Sequence, residues 1–152
     1  MQYWDEIYCK IRYDVKYFRN QVIYVYGEKS SRFIDRISSQ FNIQTISINI
    51  PICKNLIDVQ KVQYSRYAAN VVEDMLNQVQ DEAVCIKNFE ILFHPTLKTN
   101  PFILFDNISR NKILFVLWTG RVQNSMLIYG DIGHPEYKEY KINMQNIVEI
   151  QS

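Results

Sequence analysis

The sequence predicts an α/β protein: a three-layer, mainly parallel sheet of about five strands, preceded by an amphipathic helix. Three observations carry this prediction. The runs Val22–Tyr26, Ala83–Ile86 and Ile113–Trp118 are unbroken apolar or aromatic stretches, the pattern of strands covered on both faces. Segments with helical spacing alternate with them, which calls for crossover helices on a parallel sheet. The 152 residues hold only 4 glycines and 4 prolines, and no repeat or linker is visible, so one domain over residues 1–152 is the economical organisation.

Within residues 1–20, Trp4, Ile7, Tyr8, Ile11, Val15 and Phe18 recur at helical spacing with charges between them, predicting a helix packed on the rest. The run Val22–Tyr26 stops at Gly27. Glu28 to Arg32 then leads into the stripe Phe33, Ile34, Ile37 and Phe41, a second helix for which Ser30 or Ser31 would be the N-cap. Residues 43–50 alternate, with Ile46, Ile48 and Ile50 opposite Thr45, Ser47 and Asn49. That predicts a half-wet strand near a sheet edge. Ala68, Val71, Val72, Met75 and Val79 predict a helix over residues 65–80 with Ser65 as cap, and Ala83–Ile86 is a strand running into Lys87-Asn88. Asn100-Pro101 has the form of a helix start, with Phe102, Phe105 and Ile108 inward. Ile113–Trp118 is a central strand, Met126–Tyr129 before Gly130 is another strand, and Ile147–Ile150 is a further edge strand.

Composition narrows the function. Hydrophobic residues are 47% and charged residues 22%, values of an ordinary globular chain. No apolar run reaches the 18 or so residues of a membrane span, and the opening MQYWDEIYCKIRYD has no signal-peptide core, so no membrane partner is expected. Cys9, Cys53 and Cys85 stand far apart without a CxxC, which disfavours a disulfide framework or a zinc site and fits a reducing cytoplasm. His94 and His134 belong to no HExxH, and no GxSxG elbow occurs, leaving metalloenzyme and hydrolytic-triad readings without support. The net charge of +1 gives no general pull on nucleic acid. Locally, Lys10, Arg12, Lys16, Arg19, Lys29, Arg32 and Arg36 outnumber Asp14, Glu28 and Asp35, which is either a solvated helix face or the neighbourhood of an anion.

Parallel sheets bind ligands at the carboxyl ends of their strands. Gly27, Lys87-Asn88 and Trp118 to Arg121 fall there. Strand, Gly27, Lys29, Ser30, Ser31 and helix together outline a phosphate-binding loop. A full loop needs GxxxxGK[ST], so that backbone N–H groups wrap phosphate and the hydroxyl meets Mg²⁺. Counted from Gly27, the positions for Gly, Lys and Ser/Thr hold Arg32, Phe33 and Ile34. Lys29-Ser30 restores a Lys-Ser pair only in a shortened loop without its second glycine. The acid expected after the Ala83–Ile86 strand is replaced by Lys87, whose ammonium would stand where a metal would; Glu90 is the nearby carboxylate able to polarise water. Arg110 and Arg121 flank the Ile113–Trp118 strand as phosphate or sensor contacts.

Several strings in order resemble a known family: Lys87-Asn88-Phe89-Glu90-Ile91-Leu92-Phe93, Pro95 to Lys98, Asn107 to Asn111, Trp118-Thr119-Gly120, and Gly133-His134-Pro135-Glu136-Tyr137. Over roughly residues 22–140 the chain resembles the BrxF family, small P-loop proteins of type 3 BREX bacteriophage-exclusion systems. The resemblance implies a P-loop NTPase-like topology, a cytoplasmic bacterial setting and antiviral defence beside larger partner proteins. Where the family carries Gly-Lys-Thr and an Asp-Asn pair, this chain has Gly27-Glu28-Lys29-Ser30-Ser31 and Lys87-Asn88.

The favoured expectation is therefore a degenerate P-loop subunit or adaptor of a phage-defence complex that requires no cofactor and does not hydrolyse nucleotide. His134, Pro135, Glu136 and Tyr137 would form a contact surface, and homo-oligomers are compatible with it. The alternative is an ATPase of the same system, with Lys29 and Ser30 or Ser31 on ATP, Mg²⁺ at a degenerate site, and Glu90 as catalytic base. A third reading is a nucleic-acid-binding accessory module in which DNA is contacted weakly or indirectly.

Overall fold

A computed structural model describes residues 3–151; Met1, Gln2 and Ser152 lie outside the described residues, the first two within the expected N-terminal helical segment. The chain runs α1 (Tyr3–Asp14), β1 (Val22–Tyr26), α2 (Ser30–Phe41), β2 (Thr45–Ser47), α3 (Asn49–Leu56), α4 (Tyr64–Asn77), β3 (Ala83–Lys87), α5 (Pro101–Ile108), β4 (Ile113–Leu117), β5 (Arg121–Gln123), β6 (Met126–Tyr129), β7 (Lys138–Lys141) and β8 (Ile147–Glu149). The main sheet has the order β2-β3-β4-β1-β8, and every pairing in it is parallel. The strands β5, β6 and β7 form a separate antiparallel sheet.

The continuous apolar strands are explained by cover on both sides. Val22, Tyr24, Val84, Ile86, Leu114 and Val116 enter one core with α3, α4, α5 and the small sheet. Ile23, Val25, Ala83, Cys85, Ile113 and Phe115 enter the other, under α1 and α2. Along α1, Tyr8 is buried and Trp4, Ile7 and Ile11 pack beside it, as the helical spacing predicts. Arg36 of α2 holds the carboxylate of the buried Asp5 bidentately, Nε–Oδ1 3.0 Å and Nη2–Oδ2 2.7 Å, and this fixes α1 on α2. At α5 the Asn100 side chain accepts from the N–H groups of Phe102 (3.0 Å) and Ile103 (3.4 Å), with Pro101 in the first turn.

Three expectations are corrected. The alternating stretch 43–50 is strand only over Thr45–Ser47; from Asn49 the chain is helical, and Ile50 is exposed while Ile48, Ile52 and Leu56 point inward at helical spacing. Pro51 sits in the first turn of α3, where its missing N–H costs nothing. Met126–Tyr129 belongs to the second sheet, because Asn124 and Ser125, both at positive φ (49° and 61°), form a two-residue hairpin turn that folds it back on β5. The cap of α4 is Gln63, and Ser65 instead donates to the Lys98 carbonyl.

Stacked aromatic pairs seat the small sheet on the main core. Phe93 stacks on Tyr129 at 3.9 Å and Phe102 on Tyr140 at 4.8 Å, with Trp118 edge-on to Tyr24 at 6.0 Å. The Tyr140 hydroxyl donates to the Asp106 carboxylate of α5.

Burial, and then the bond to Asp106, pushes the Tyr140 phenol up to about 12; Tyr24 is raised well above its ordinary value by burial. A folded-state pKa above the unfolded value of about 10 means that stability is whole below pH 10 and falls as pH rises towards 12. In an alkaline titration of phenolate absorbance, part of the eleven tyrosines should ionise only in a late step that coincides with loss of circular dichroism. Ionisation of all eleven near pH 10 with the fold intact would contradict this packing. Cys9 and Cys53 are exposed, while burial raises the Cys85 thiol to about 12. Native alkylation should therefore label two thiols, and the third only in denaturant.

Candidate functional site

The strand order places a reversal between β1 and β4. From β1 the chain crosses under α2 to β2 at the edge, then returns through α3, α4 and β3, and through α5, to β4 on the other face. The carboxyl ends of β1 and β4 therefore border the crevice where open α/β sheets take ligands. The loop after β1 and the segment from Trp118 to Gly120 lie there.

The loop is a tight turn. Gly27 has φ +109°, a conformation that side chains resist. The Ser30 N–H donates to the Gly27 carbonyl (3.2 Å), and the Ser30 hydroxyl donates to the same oxygen (2.8 Å). The Lys29 N–H donates to the Ile150 carbonyl (2.9 Å), while the Ile150 N–H donates to the Tyr26 carbonyl (2.8 Å). The Glu28 N–H faces the Gln151 side-chain oxygen at 3.5 Å. The N-cap of α2 is thus Lys29 and not a serine: Ser30 is already helical and buried, and Ser31 is exposed. A Cβ on Gly27 would stand 2.5 Å from the Ile150 oxygen. A phosphate cradle needs these N–H groups turned to one open point. Here the donors of Lys29 and Ser30 are spent on the protein's own carbonyls, so the loop does not fit ATP-Mg²⁺ in this conformation.

At the end of β3, Lys87 is half-buried and makes no ion pair among the described residues. Asn88 turns the chain at φ +51° and donates to the Ser47 hydroxyl (2.9 Å), and its carbonyl accepts from the Asn49 N–H (2.7 Å). Glu90 opens the next 3₁₀ turn. Its carboxylate accepts from the Asn49 side-chain amide (3.1 Å) and faces the Thr119 hydroxyl at 3.5 Å, the outer limit of a hydrogen bond. The ends of β2, β3 and β4 therefore meet on one carboxylate held by neutral donors. It is an acceptor held in place by those two contacts. Among the described residues no group of three or more His, Cys, Asp or Glu side chains could hold a metal ion. The sequence placed Thr119 at this end of the sheet but not against Glu90, and it assigned Asn49 no site role, because nothing local in either marks a partner some 30 to 40 positions away.

The other predicted residues are not brought to this end. Arg110 follows α5 at the amino-terminal end of β4. Arg121, on β5, donates one guanidinium N–H to the Gly130 carbonyl (2.8 Å) within the small sheet. His134, Pro135 and Glu136 lie exposed on the connection from β6 to β7, and Tyr137 bonds Glu139 (2.8 Å). The basic stretch is broken up by ion pairs: Lys10 with Asp14, Arg12 with Glu82, and Arg36 with Asp5. Lys16 lies over the exposed rings of Tyr13 and Tyr17. Among the described residues no helix is long and apolar enough to cross a membrane.

Replacing Gly27 by Ala should destabilise the fold by about 1–3 kcal/mol, from backbone strain and collision with Ile150. Gly133, also at positive φ (+92°) but with nothing within 4 Å of a Cβ, is the control and should cost less. Denaturant unfolding of the two variants measures the difference; equal costs would mean that the Gly27–Ile150 approach is not tight.

Compared with protein-family models, with curated proteins and with solved structures, the chain matches none.

Proposed function

We propose that this chain is a P-loop-like domain whose nucleotide site is closed, serving as a non-hydrolysing subunit or adaptor of a BREX-type phage-defence complex in the bacterial cytoplasm. The observation that carries the reading is the Lys29 N–H committed to the Ile150 carbonyl, which fills the place a phosphate would need. The P-loop-like topology is supported by a parallel sheet in which the loop strand β1 and the Lys87 strand β3 are separated by β4 alone. Two strand spacings amount to about 10 Å, a span that a metal and its water could bridge if an acid stood at Lys87. Lys87 in the acid's place removes that ligand as well. The defence setting rests on the resemblance of the segments around Glu90, Arg110 and Tyr137 to the BrxF family. The exposed connection carrying His134, Pro135 and Glu136 is the surface proposed to meet a partner.

One observation favours the ATPase alternative: Glu90 lies at the carboxyl end of the sheet beside Asn49 and Thr119. Thermal unfolding separates the two. With millimolar Mg-ATP the melting temperature should not move, whereas binding at 100 times Kd would add about 2.7 kcal/mol and raise it by several degrees. An upward shift would overturn the closed-site reading. Co-expression with the proteins encoded beside it should yield a stable complex that a His134→Ala/Glu136→Ala double variant weakens. Failure to co-purify with any of them would contradict the adaptor role.

A further inference from the structure

A cavity of about 620 Å³ lies at the opposite, amino-terminal end of the main sheet, floored by β1 and walled by α5 and the segment after β7. Three separate elements bring cations to it: Arg19 precedes β1, Arg110 follows α5, and Lys141 ends β7. None of the three makes an ion pair among the described residues. The acid on the wall is Asp106; its carboxylate takes the Tyr140 hydroxyl and lies within the field of Arg19. The lining therefore carries two more positive charges than negative ones. Tyr24 is also on the wall, and its hydroxyl is fully buried with no hydrogen-bond partner among the described residues. Buried hydroxyls are normally paired, and replacing this one by a hydrogen would relieve the fold of an unmet donor. The wall is also held in shape: the buried Asn146 donates to the carbonyls of Asn20 and Val22, both at 2.9 Å.

We propose that this cavity binds a small phosphomonoester, with its dianionic phosphate between Arg19, Arg110 and Lys141 and its hydroxyl-bearing organic part against Tyr24. The surplus of two charges matches a phosphate dianion better than a single carboxylate, and guanidinium forks suit its oxygens. The volume is that of a site for a sugar phosphate or a mononucleotide. The site is separate from the Gly27–Ser30 turn, so its occupation is independent of whether that turn takes ATP.

Calorimetric titration with inorganic phosphate, ribose 5-phosphate and the four nucleoside 5′-monophosphates, each paired with its unphosphorylated form, tests this. At least one phosphomonoester should bind about tenfold more tightly than inorganic phosphate, and its unphosphorylated form should not bind. Arg110→Gln, an exposed change, should lose about tenfold in affinity with the melting temperature unchanged. Tyr24→Phe should melt no lower than the parent yet bind several-fold more weakly, a combination that a packing role alone would not give. Lys29→Ala should bind as the parent does. No binding by any probe up to roughly 10 mM would overturn the proposal. So would undiminished binding in Arg110→Gln, or binding of inorganic phosphate alone, which would mark an adventitious ion only. Dependence on Lys29, or preference for an oligonucleotide over every monomer, would overturn it as well.

Discussion

The backbone of Ile150 is clamped from two sides, its N–H on the Tyr26 carbonyl and its own carbonyl on the Lys29 N–H. That pair of bonds joins the end of β8 to β1 and to the start of α2 at once. Beyond the ladder of β8 on β1, it fixes where α2 begins and leaves Gly27 no room for a side chain. The Ile150 side chain is buried in the core beneath α1 and α2, so the clamp is also seated by apolar burial. A turn held this way is a structural joint, and that is why the loop does not present an anion cradle although strand, glycine, lysine and serine follow in the order one would use.

The two ends of the sheet consequently have different characters. At the carboxyl end, polar groups satisfy one another: Asn88 with Ser47, Asn49 with Glu90, and the loop amides with Ile150 and Gly27. At the amino-terminal end, Arg19, Arg110, Lys141 and the Tyr24 hydroxyl line a cavity without being paired off in the same way. The small sheet makes this contrast possible. Its β7 carries Tyr140 onto Phe102 and Asp106, closing one wall of the cavity and covering the aromatic cluster around Trp118. Gly120 lets the chain leave β4 for that sheet, since a Cβ there would meet the Trp118 ring at 2.6 Å and the Ile128 carbonyl at 2.4 Å.

The parallel core was legible because its signals are local and physical. β1, β3 and β4 must be apolar on both faces, and Asn100-Pro101 is a helix start by its own chemistry. The edge strand β8 was legible as well, although its pairing partner was not. What failed was where two periods compete or where partners are distant. Ile46, Ile48 and Ile50 read as period two, yet Ile48, Ile52 and Leu56 also fit a helix, and Pro51 in a first turn was the available clue. The Asn124-Ser125 hairpin lacks the Asn-Gly that would have announced it. Of the site, the composition showed that a second loop glycine was missing, but no feature of residues 27–32 revealed that Ile150, more than a hundred positions away, supplies the closing carbonyl. The cavity's cations likewise come from segments whose meeting only the fold arranges.

The closed turn is most directly tested by amide hydrogen exchange at Lys29. Bonded to Ile150, its amide should exchange as slowly as those of the β1 ladder, and Mg-ATP should leave that rate unchanged. Fast exchange at Lys29, or protection acquired only when Mg-ATP is added, would contradict the account and return the loop to the status of a nucleotide site.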